Sequence, residues 1–271
     1  MRRGSHLSDR SLVLAFFHAA SGRALDVATL VKGTAILGLS GNSTRVALSR
    51  LVDQELVRSD QRGWYRLRPT AAASPRKAHD WRLGEERVRK WEGGWLSALG
   101  PSRVQTETKT RRALELLGFR LTAERLMVRP DNLREGLAEL AKRALALGGN
   151  AQLRFFELRA GEPRLVREAW SRLWQPAALE RRYRGWQKKL KTSRERLSQK
   201  PRERALAETF ALGRTCIAEL EQDPLLPAEI IDITLRKKLT FELSSYEQYA
   251  RHLWAQAMPE LALVNLSALN L

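Results

Sequence analysis

The stretch that decides the N-terminal fold runs from Ser40 to Leu67 and reads SGNSTRVALSRLVDQELVRSDQRGWYRL. Small and apolar residues recur in its first half at helical spacing. This pattern predicts a helix that ends near Gln54 and has one side buried. Ser40 is placed to cap the start of that helix. The residues on the predicted buried side are Thr44, Ala47, Leu48 and Leu51.

The second half of the stretch alternates between apolar and polar residues, first over 56–59 and again over 64–67. Asp60 to Gly63 separates these two segments as a turn, so the pattern predicts a β-hairpin. Two helices are predicted upstream, over Ser11–Ala20 and from Val27 to about Leu37, the second capped by Asp26. Three helices followed by a basic hairpin are typical of a winged helix-turn-helix.

The outer side of the third predicted helix is short and polar and carries two arginines. Arginine can read guanine edges and asparagine adenine edges in the major groove, while serine can contact phosphate. An ordinary solvated helix face is the alternative, and the basic hairpin favours double-stranded DNA. The candidate DNA-contacting residues are Asn42, Ser43, Arg45, Ser49, Arg50, Arg58, Arg62 and Arg66.

The middle of the chain shows a mixed pattern after the Pro-rich and Ala-rich segment 69–78. It predicts a strand, helix, strand, strand, helix and strand in that order, which is the ferredoxin-like arrangement. The predicted segments are Lys90–Leu99, Glu107–Leu117, two short strands within Gly118–Arg129, Asn132–Leu147 and Ala151–Leu158.

The last third of the chain is predicted to be mostly helical, over Pro163–Lys191, Ala205–Glu221 and Ser244–Ala257. Aromatic residues in the first of these segments either pack helix against helix or line a pocket for an effector. The basic run Lys188–Arg204 reads as a helix end and loop that is either solvated or a second anion-contacting patch. The fold class is therefore α+β multidomain, with domains over 7–70, 80–160 and 161–271.

Composition limits the classes of function. A formal net charge of +18 over 271 residues favours a polyanionic partner. No apolar run is long enough to span a membrane, and a single cysteine, Cys216, fits the reducing cytoplasm. The few cysteines and histidines have no metal-ligand spacing, so we expect no metal and no cofactor.

Four stretches of the chain resemble the phenylacetic-acid catabolon repressor (PaaX) family of bacterial transcription factors. The first comprises Asn42–Leu51, Glu55-Leu56 and Trp64–Leu67, and the second comprises Trp91–Trp95 and Leu117–Phe119. The third runs from Trp174 to Tyr183, and the fourth is Asp223–Pro227. The order and spacing of these motifs carry the resemblance, which spans about residues 10–255.

The resemblance implies a cytoplasmic homodimer that represses genes for aromatic-compound degradation. It also implies release from its DNA operator by an aryl-CoA thioester such as phenylacetyl-CoA. The family usually has a Trp-Pro-Gly-type stretch after the fourth motif, whereas this chain has Ile230–Lys238, reading IIDITLRKK. No effector-binding residues are therefore carried over.

Two other classes of protein remain as alternatives. An enzyme built on the middle domain, a nuclease or an acyl-CoA hydrolase, needs a carboxylate cluster or a nucleophile–base pair, and the sequence presents neither. We therefore expect the chain not to be an enzyme. An RNA-binding sheet needs aromatic residues on its two central strands. Phe155 and Phe156 are adjacent in sequence and should point to opposite faces.

Overall fold

The structure, a computed structural model, describes residues 8–20, 22–69, 81–101, 107–159 and 162–259. The fold is mixed, with helices predominating and two small antiparallel sheets. The chain divides into two compact units: unit 1 draws on 1–77, 190–216 and 243–271, and unit 2 on 78–189 and 217–242. Residues after 161, which were expected to form one C-terminal domain, are therefore shared between the two units.

The helices follow the predicted order. Unit 1 begins with α1 (Asp9–Ala19), α2 (Val27–Ile36) and α3 (Gly41–Asp53). The later helices are α4 (Thr108–Leu116), α5 (Leu137–Ala146), α6 (Pro163–Ser171), α7 (Pro176–Leu197), α8 (Arg202–Glu221) and α9 (Ile233–Ala257). Short 3-10 turns lie at Trp81–Gly84 and Arg172–Trp174.

Both predicted helix caps in unit 1 are confirmed. The side chain of Asp26 accepts a hydrogen bond from the amide of Thr29, and Ser40 accepts one from the amide of Ser43. Each cap satisfies an amide that the helix itself leaves unbonded. Burial alone would raise the pKa of Asp26, but the hydrogen bonds from Thr29 outweigh this effect and lower it.

A three-stranded sheet completes the N-terminal part of unit 1. Its strands are β1 (Leu25–Asp26), β2 (Val57–Gln61) and β3 (Trp64–Leu67), in the order β1-β3-β2. The predicted hairpin is confirmed, but its turn is shorter than the predicted 60–63, because Gln61 pairs directly with Trp64. Gly63 adopts φ +79 in this turn, a conformation that glycine takes without steric strain.

The core of unit 1 joins segments that are far apart in sequence. The ring of Phe16 in α1 stacks on Phe210 of α8 at 6.4 Å and meets Trp254 of α9 edge-on at 6.0 Å. Leu48 and Leu51 of α3 belong to the same buried cluster. The first three helices therefore share one core with the parts of α8 and α9 that belong to this unit.

A four-stranded antiparallel sheet lies at the centre of unit 2. Its strands are β4 (Trp95–Leu99), β5 (Arg120–Leu121), β6 (Met127–Pro130) and β7 (Arg154–Leu158), in the order β5-β6-β4-β7. With α4 and α5, these strands confirm the predicted order of elements. Side chains of α4 and α5 pack with one face of the sheet in a buried cluster.

The first predicted strand of the middle segment begins too early. Only Trp95–Leu99 of Lys90–Leu99 is a strand, because Gly93 turns the chain with φ +85 just before it. The expectation that Trp91 and Trp95 anchor the packing is confirmed, since both are buried and their rings meet edge-on at 5.2 Å.

The second helix of the middle segment begins later than predicted, at Leu137 and not at Asn132. Leu133 forms an isolated β-bridge with Val88, and the side-chain amide of Asn132 donates to the carbonyl of Leu225 at 2.7 Å. These contacts hold the chain extended where the apolar spacing alone had predicted a helix.

The C-terminal helices also differ in their bounds. The predicted segment Pro163–Lys191 is interrupted at Gln175, which has φ +49, and α7 then continues to Leu197. The basic run Lys188–Arg204 is therefore mostly helical, with a short turn before Arg202. The last helix begins at Ile233 and not at Ser244, because the carboxylate of Asp232 accepts a hydrogen bond from the amide of Thr234 at 2.9 Å.

The proline-containing break after α8 is present as predicted, and it is held by unit 2. Arg129 donates to the carbonyl of Pro224 at 3.4 Å, and Tyr183 donates to the carboxylate of Asp223 at 2.5 Å. In the apolar ending 258–271, Met258 is fully buried in the core of unit 1, whereas residues 260–271 lie outside the described residues.

Candidate nucleic-acid interface

The outer side of α3 is exposed as predicted, and its inner side is buried. Thr44, Ala47, Leu48 and Leu51 are all buried. Asn42, Arg45, Ser49 and Arg50 are exposed, Val46 is 43% exposed, and Ser43 is half-buried. The candidate residues on this helix therefore face solvent on one side of a well-packed element.

Helix α3 is fixed against α2 by a short connection and by one buried polar contact. Residues 37–40 join the two helices, and the hydroxyls of Thr34 and Thr44 lie 2.6 Å apart. Arg10 of α1 donates to the side-chain oxygen of Gln54 at 3.0 Å, just beyond the end of α3. These contacts hold the exposed side of α3 in one orientation.

The hairpin presents arginines in two different settings. Arg58 on β2 and Arg62 in the turn are exposed. Arg66 on β3 is engaged within the fold: it donates to the carboxylate of Asp60 at 2.7 Å and to the carbonyl of Gly22 at 2.8 Å. Arg66 therefore ties the hairpin to the loop that follows α1 and has less capacity left for an external partner.

Four of the predicted arginines have no intramolecular partner for their guanidinium groups in the part of the chain that the structure describes. They are Arg45, Arg50, Arg58 and Arg62. Two of the neighbouring acidic side chains are engaged elsewhere, since Asp60 pairs with Arg66 and Glu55 lies 3.9 Å from Arg68. Asp53 is a single exposed acid on α3 beside these four cations. The surface formed by α3 and the hairpin thus keeps exposed positive charge that the fold does not neutralise.

Two of the four aromatic residues considered for an effector pocket, Trp170 and Trp174, pack against Trp95. The ring of Trp174 stacks on Trp95 at 6.1 Å, and its indole donates to the carbonyl of Gly118 at 2.9 Å. Trp170 meets Trp95 edge-on at 5.1 Å. A groove of about 340 Å³ in unit 2 is lined by residues of α5 and β7 and by none of these aromatics.

The sheet of unit 2 does not present paired aromatic platforms. Phe155 packs inward against Phe119 with ring centroids 5.9 Å apart, whereas Phe156 is 44% exposed on the opposite face. Both belong to β7 at the edge of the sheet, and Trp95 on the central strand β4 is only 1% exposed. This arrangement lacks the stacking surface of a typical RNA-binding sheet.

Among the described residues, no three His, Cys, Asp or Glu side chains are grouped so that they could hold a metal ion. None of the described helices combines the length and the apolar character that crossing a membrane requires.

A buried polar network in unit 2 was missed by the sequence analysis. Arg129 donates to the carbonyl of Leu117, to Asn132 at 3.2 Å and to Pro224. Burial, together with repulsion from Arg87, lowers the pKa of Arg129 to about 9, so the group stays cationic at neutral pH. The available signal was a charged residue within the otherwise apolar strand Met127–Pro130.

Comparison with known proteins adds information on the fold. No family model matches the chain, and no curated protein matches it. A solved structure, the uncharacterized protein Rv0674 from Mycobacterium tuberculosis, is similar with a TM-score of 0.58 and 22% sequence identity. The similarity covers 92% of this chain and 99% of that one. At this level of identity the similarity concerns the fold alone.

Proposed function

We propose that this chain is a sequence-specific transcriptional regulator that binds double-stranded DNA through a winged helix-turn-helix formed by residues 8–69. In this interpretation α2 and α3 are the helix-turn-helix, α3 enters the major groove, and the β2–β3 hairpin is the wing. The observation that carries the proposal is the set of four exposed, unneutralised arginines on α3 and the hairpin, namely Arg45, Arg50, Arg58 and Arg62.

The chemistry of each position suggests its role. Arg45 and Arg50 are placed to contact guanine edges or phosphates, and Asn42 could read adenine. Arg58 and Arg62 would hold the flanking backbone, which sets register and does not read sequence. Arg66 would act indirectly by fixing the hairpin, since its guanidinium is bonded to Asp60 and Gly22.

The resemblance of the four sequence motifs to the phenylacetic-acid repressor family extends the proposal. The protein would act as a cytoplasmic homodimeric repressor of aromatic-degradation genes, with two copies of α3 reading half-sites about one helical turn apart. Unit 2, whose strands lie in the order β5-β6-β4-β7, would be a ferredoxin-like domain that takes part in the response to an acyl-CoA effector. Release requires only that the effector bind the DNA-incompetent state more tightly.

The experiment that tests this function selects binding sites from a pool of random duplexes with the full-length protein. We expect the selection to recover a shared sequence. The protein should bind this sequence at least on the order of 1,000-fold more tightly than random duplex, as is usual for specific DNA binding. Arg45→Ala should then weaken binding to the selected duplex by about 1–3 kcal/mol. Arg164→Ala changes an exposed arginine of unit 2 and serves as the control.

Failure to enrich any sequence contradicts the proposal. If a sequence is enriched, equal binding of it by the Arg45→Ala and wild-type proteins contradicts the assignment of α3 as the recognition helix. Preference for an RNA duplex over the matched DNA duplex would instead favour an RNA-binding role.

A further inference from the structure

The connection between α7 and α8 carries a second concentration of positive charge in unit 1. Five side chains around it have no intramolecular partner among the described residues: Lys191, Arg194, Arg196, Arg202 and Arg204. We call this group the basic turn. Four of the five are exposed and Arg194 is half-buried. Glu195 and Glu203 are the acidic residues within the same segment. The five cations therefore outnumber the acids around the turn.

The basic turn is held in place by a partly buried polar clamp. The carboxylate of Glu208 accepts hydrogen bonds from Lys200 and, at 2.6 Å, from the hydroxyl of Ser193. Ser193 also lies 2.8 Å from the hydroxyl of Tyr246 on α9. Lys200 is therefore a structural cation that closes the turn, whereas its neighbours stay available. Because the clamp fixes the backbone of the turn, less backbone entropy is lost when a partner binds.

The basic turn also belongs to the same packed unit as α3. Leu206 and Phe210, in the first turns of α8, are buried in the cluster that contains Leu48 and Leu51 of α3. A partner held by α3 and the hairpin is therefore held by the body that also carries these cations.

We infer that the basic turn is a second, sequence-independent contact for the phosphate backbone of the DNA that α3 reads. The cations are spread over the end of α7 and the start of α8, which suits an extended polyanion. The inference rests on the proposed function and deepens it, because it lengthens the DNA segment that one protomer covers.

The test compares two variants of the full-length protein with equal loss of charge. The first replaces Arg196, Arg202 and Arg204 by glutamine. The control replaces Arg112, Arg164 and Arg167 by glutamine; these are exposed in unit 2, and their guanidinium groups likewise have no partner among the described residues. Affinity for a selected duplex and for a random duplex of equal length is measured over a range of salt concentrations, and thermal unfolding confirms that both variants are folded.

The expected result is specific to the first variant. Loss of three phosphate contacts should reduce the slope of log K against log salt by about 2.7. Affinity should fall about tenfold or more at 0.1 M salt, by a similar factor on both duplexes. The control variant should retain nearly the wild-type slope.

Three outcomes overturn the inference. The first is that both variants bind alike while Arg45→Ala still weakens binding to the selected duplex, in which case the proposed function stands. The second is a loss confined to the selected duplex, which indicates base reading. The third is unchanged DNA binding with reduced binding to phosphatidylserine vesicles, which indicates a membrane partner. If the wild-type protein binds no DNA, the proposed function fails as well.

Discussion

The hydroxyls of Thr34 on α2 and Thr44 on α3 form a hydrogen bond of 2.6 Å in the interior of unit 1, where both side chains are fully buried. Each hydroxyl also lies within hydrogen-bond distance of a backbone carbonyl four residues earlier: that of Leu30 in α2 at 2.8 Å for Thr34, and that of Ser40, the cap of α3, at 3.0 Å for Thr44. This pair sets how the proposed recognition helix sits against the helix before it.

Replacing either threonine by valine should reveal that coupling. Thr34→Val or Thr44→Val should each lower the free energy of unfolding by about 1 kcal/mol, because each removes the same hydrogen bond from a dry interior. The double variant should lose less free energy of unfolding than the sum of the two single losses, because no hydroxyl then remains buried without its partner hydroxyl. Urea unfolding of the four proteins measures the coupling energy, and strictly additive losses would show that the two hydroxyls do not interact.

Arg62 and Arg66 lie four residues apart but should have opposite phenotypes. Arg66→Ala should lower stability by roughly 0.5–1.5 kcal/mol, a modest figure because its contact with Asp60 is partly exposed to solvent. Arg62→Ala should leave unfolding unchanged and reduce the salt slope of DNA binding by about 1. Unfolding curves and binding at several salt concentrations separate the two effects; a destabilised Arg62→Ala protein would contradict the assignment.

Gly118 should tolerate no side chain. It has φ +85, and an added Cβ would lie 3.0 Å from the carbonyl oxygen of Pro224. Gly118→Ala should therefore destabilise the protein by more than the roughly 1 kcal/mol expected for backbone strain alone. Gly148→Ala is the matched control, since Gly148 has φ +89 with open space around it. Equal losses in the two variants would mean that the close approach to Pro224 has no energetic effect.

Glu135 should contribute to stability in a pH-dependent way. Burial alone would raise its pKa, but hydrogen bonds and charge from Arg87 and Arg143 outweigh this effect and lower it. A carboxylate with a lowered folded-state pKa stabilises the fold above its unfolded pKa, about 4.3, and this contribution is lost as the pH falls through the folded-state value.

Glu135→Gln should therefore cost about 2–4 kcal/mol at pH 7, because two largely buried arginines lose their charged partner. The difference from wild type should shrink below about pH 4.3. Urea unfolding at pH 7 and below about pH 4.3 measures this difference in stability. Glu139→Gln, at an exposed position, is the control. A difference that stays constant with pH would contradict the role assigned to this carboxylate.

An acyl-CoA effector should weaken DNA binding. Phenylacetyl-CoA, added to the full-length protein on its selected duplex, should raise the apparent dissociation constant by about 5–150-fold, the range of typical coupling free energies. Free coenzyme A and phenylacetate are the controls. An unchanged dissociation constant would remove phenylacetyl-CoA as the effector while leaving the DNA-binding proposal in place.

The parts that could be predicted from the sequence are those governed by local chemistry. Helix α3 follows from the Ser40 cap and the spacing of Thr44 to Leu51, all within one short segment. Strand β4 was predicted too long because Gly93 bends the chain, and the start of α9 was missed because the cap at Asp232 went unrecognised.

Contacts between distant segments leave no local pattern. Nothing in the periodicity around Phe16 indicates that it will stack on Phe210, and an arginine within β6 does not reveal that its partner is Pro224. The same limit applies to the candidate interface. Arg66 looks like Arg62 in the sequence, and only the positions of Asp60 and Gly22 distinguish the two roles.

The packing of Phe16 against Phe210 and Trp254 has a consequence for biosynthesis. The ribosome makes a chain from its N-terminus at about 5–20 residues per second, so residues 8–69 precede Trp254 by roughly 10–40 seconds. During that interval the proposed DNA-reading segment lacks part of its own core. The nascent protein can therefore complete the core of unit 1 only after Trp254 has been made, and by then both segments of unit 2 have been translated.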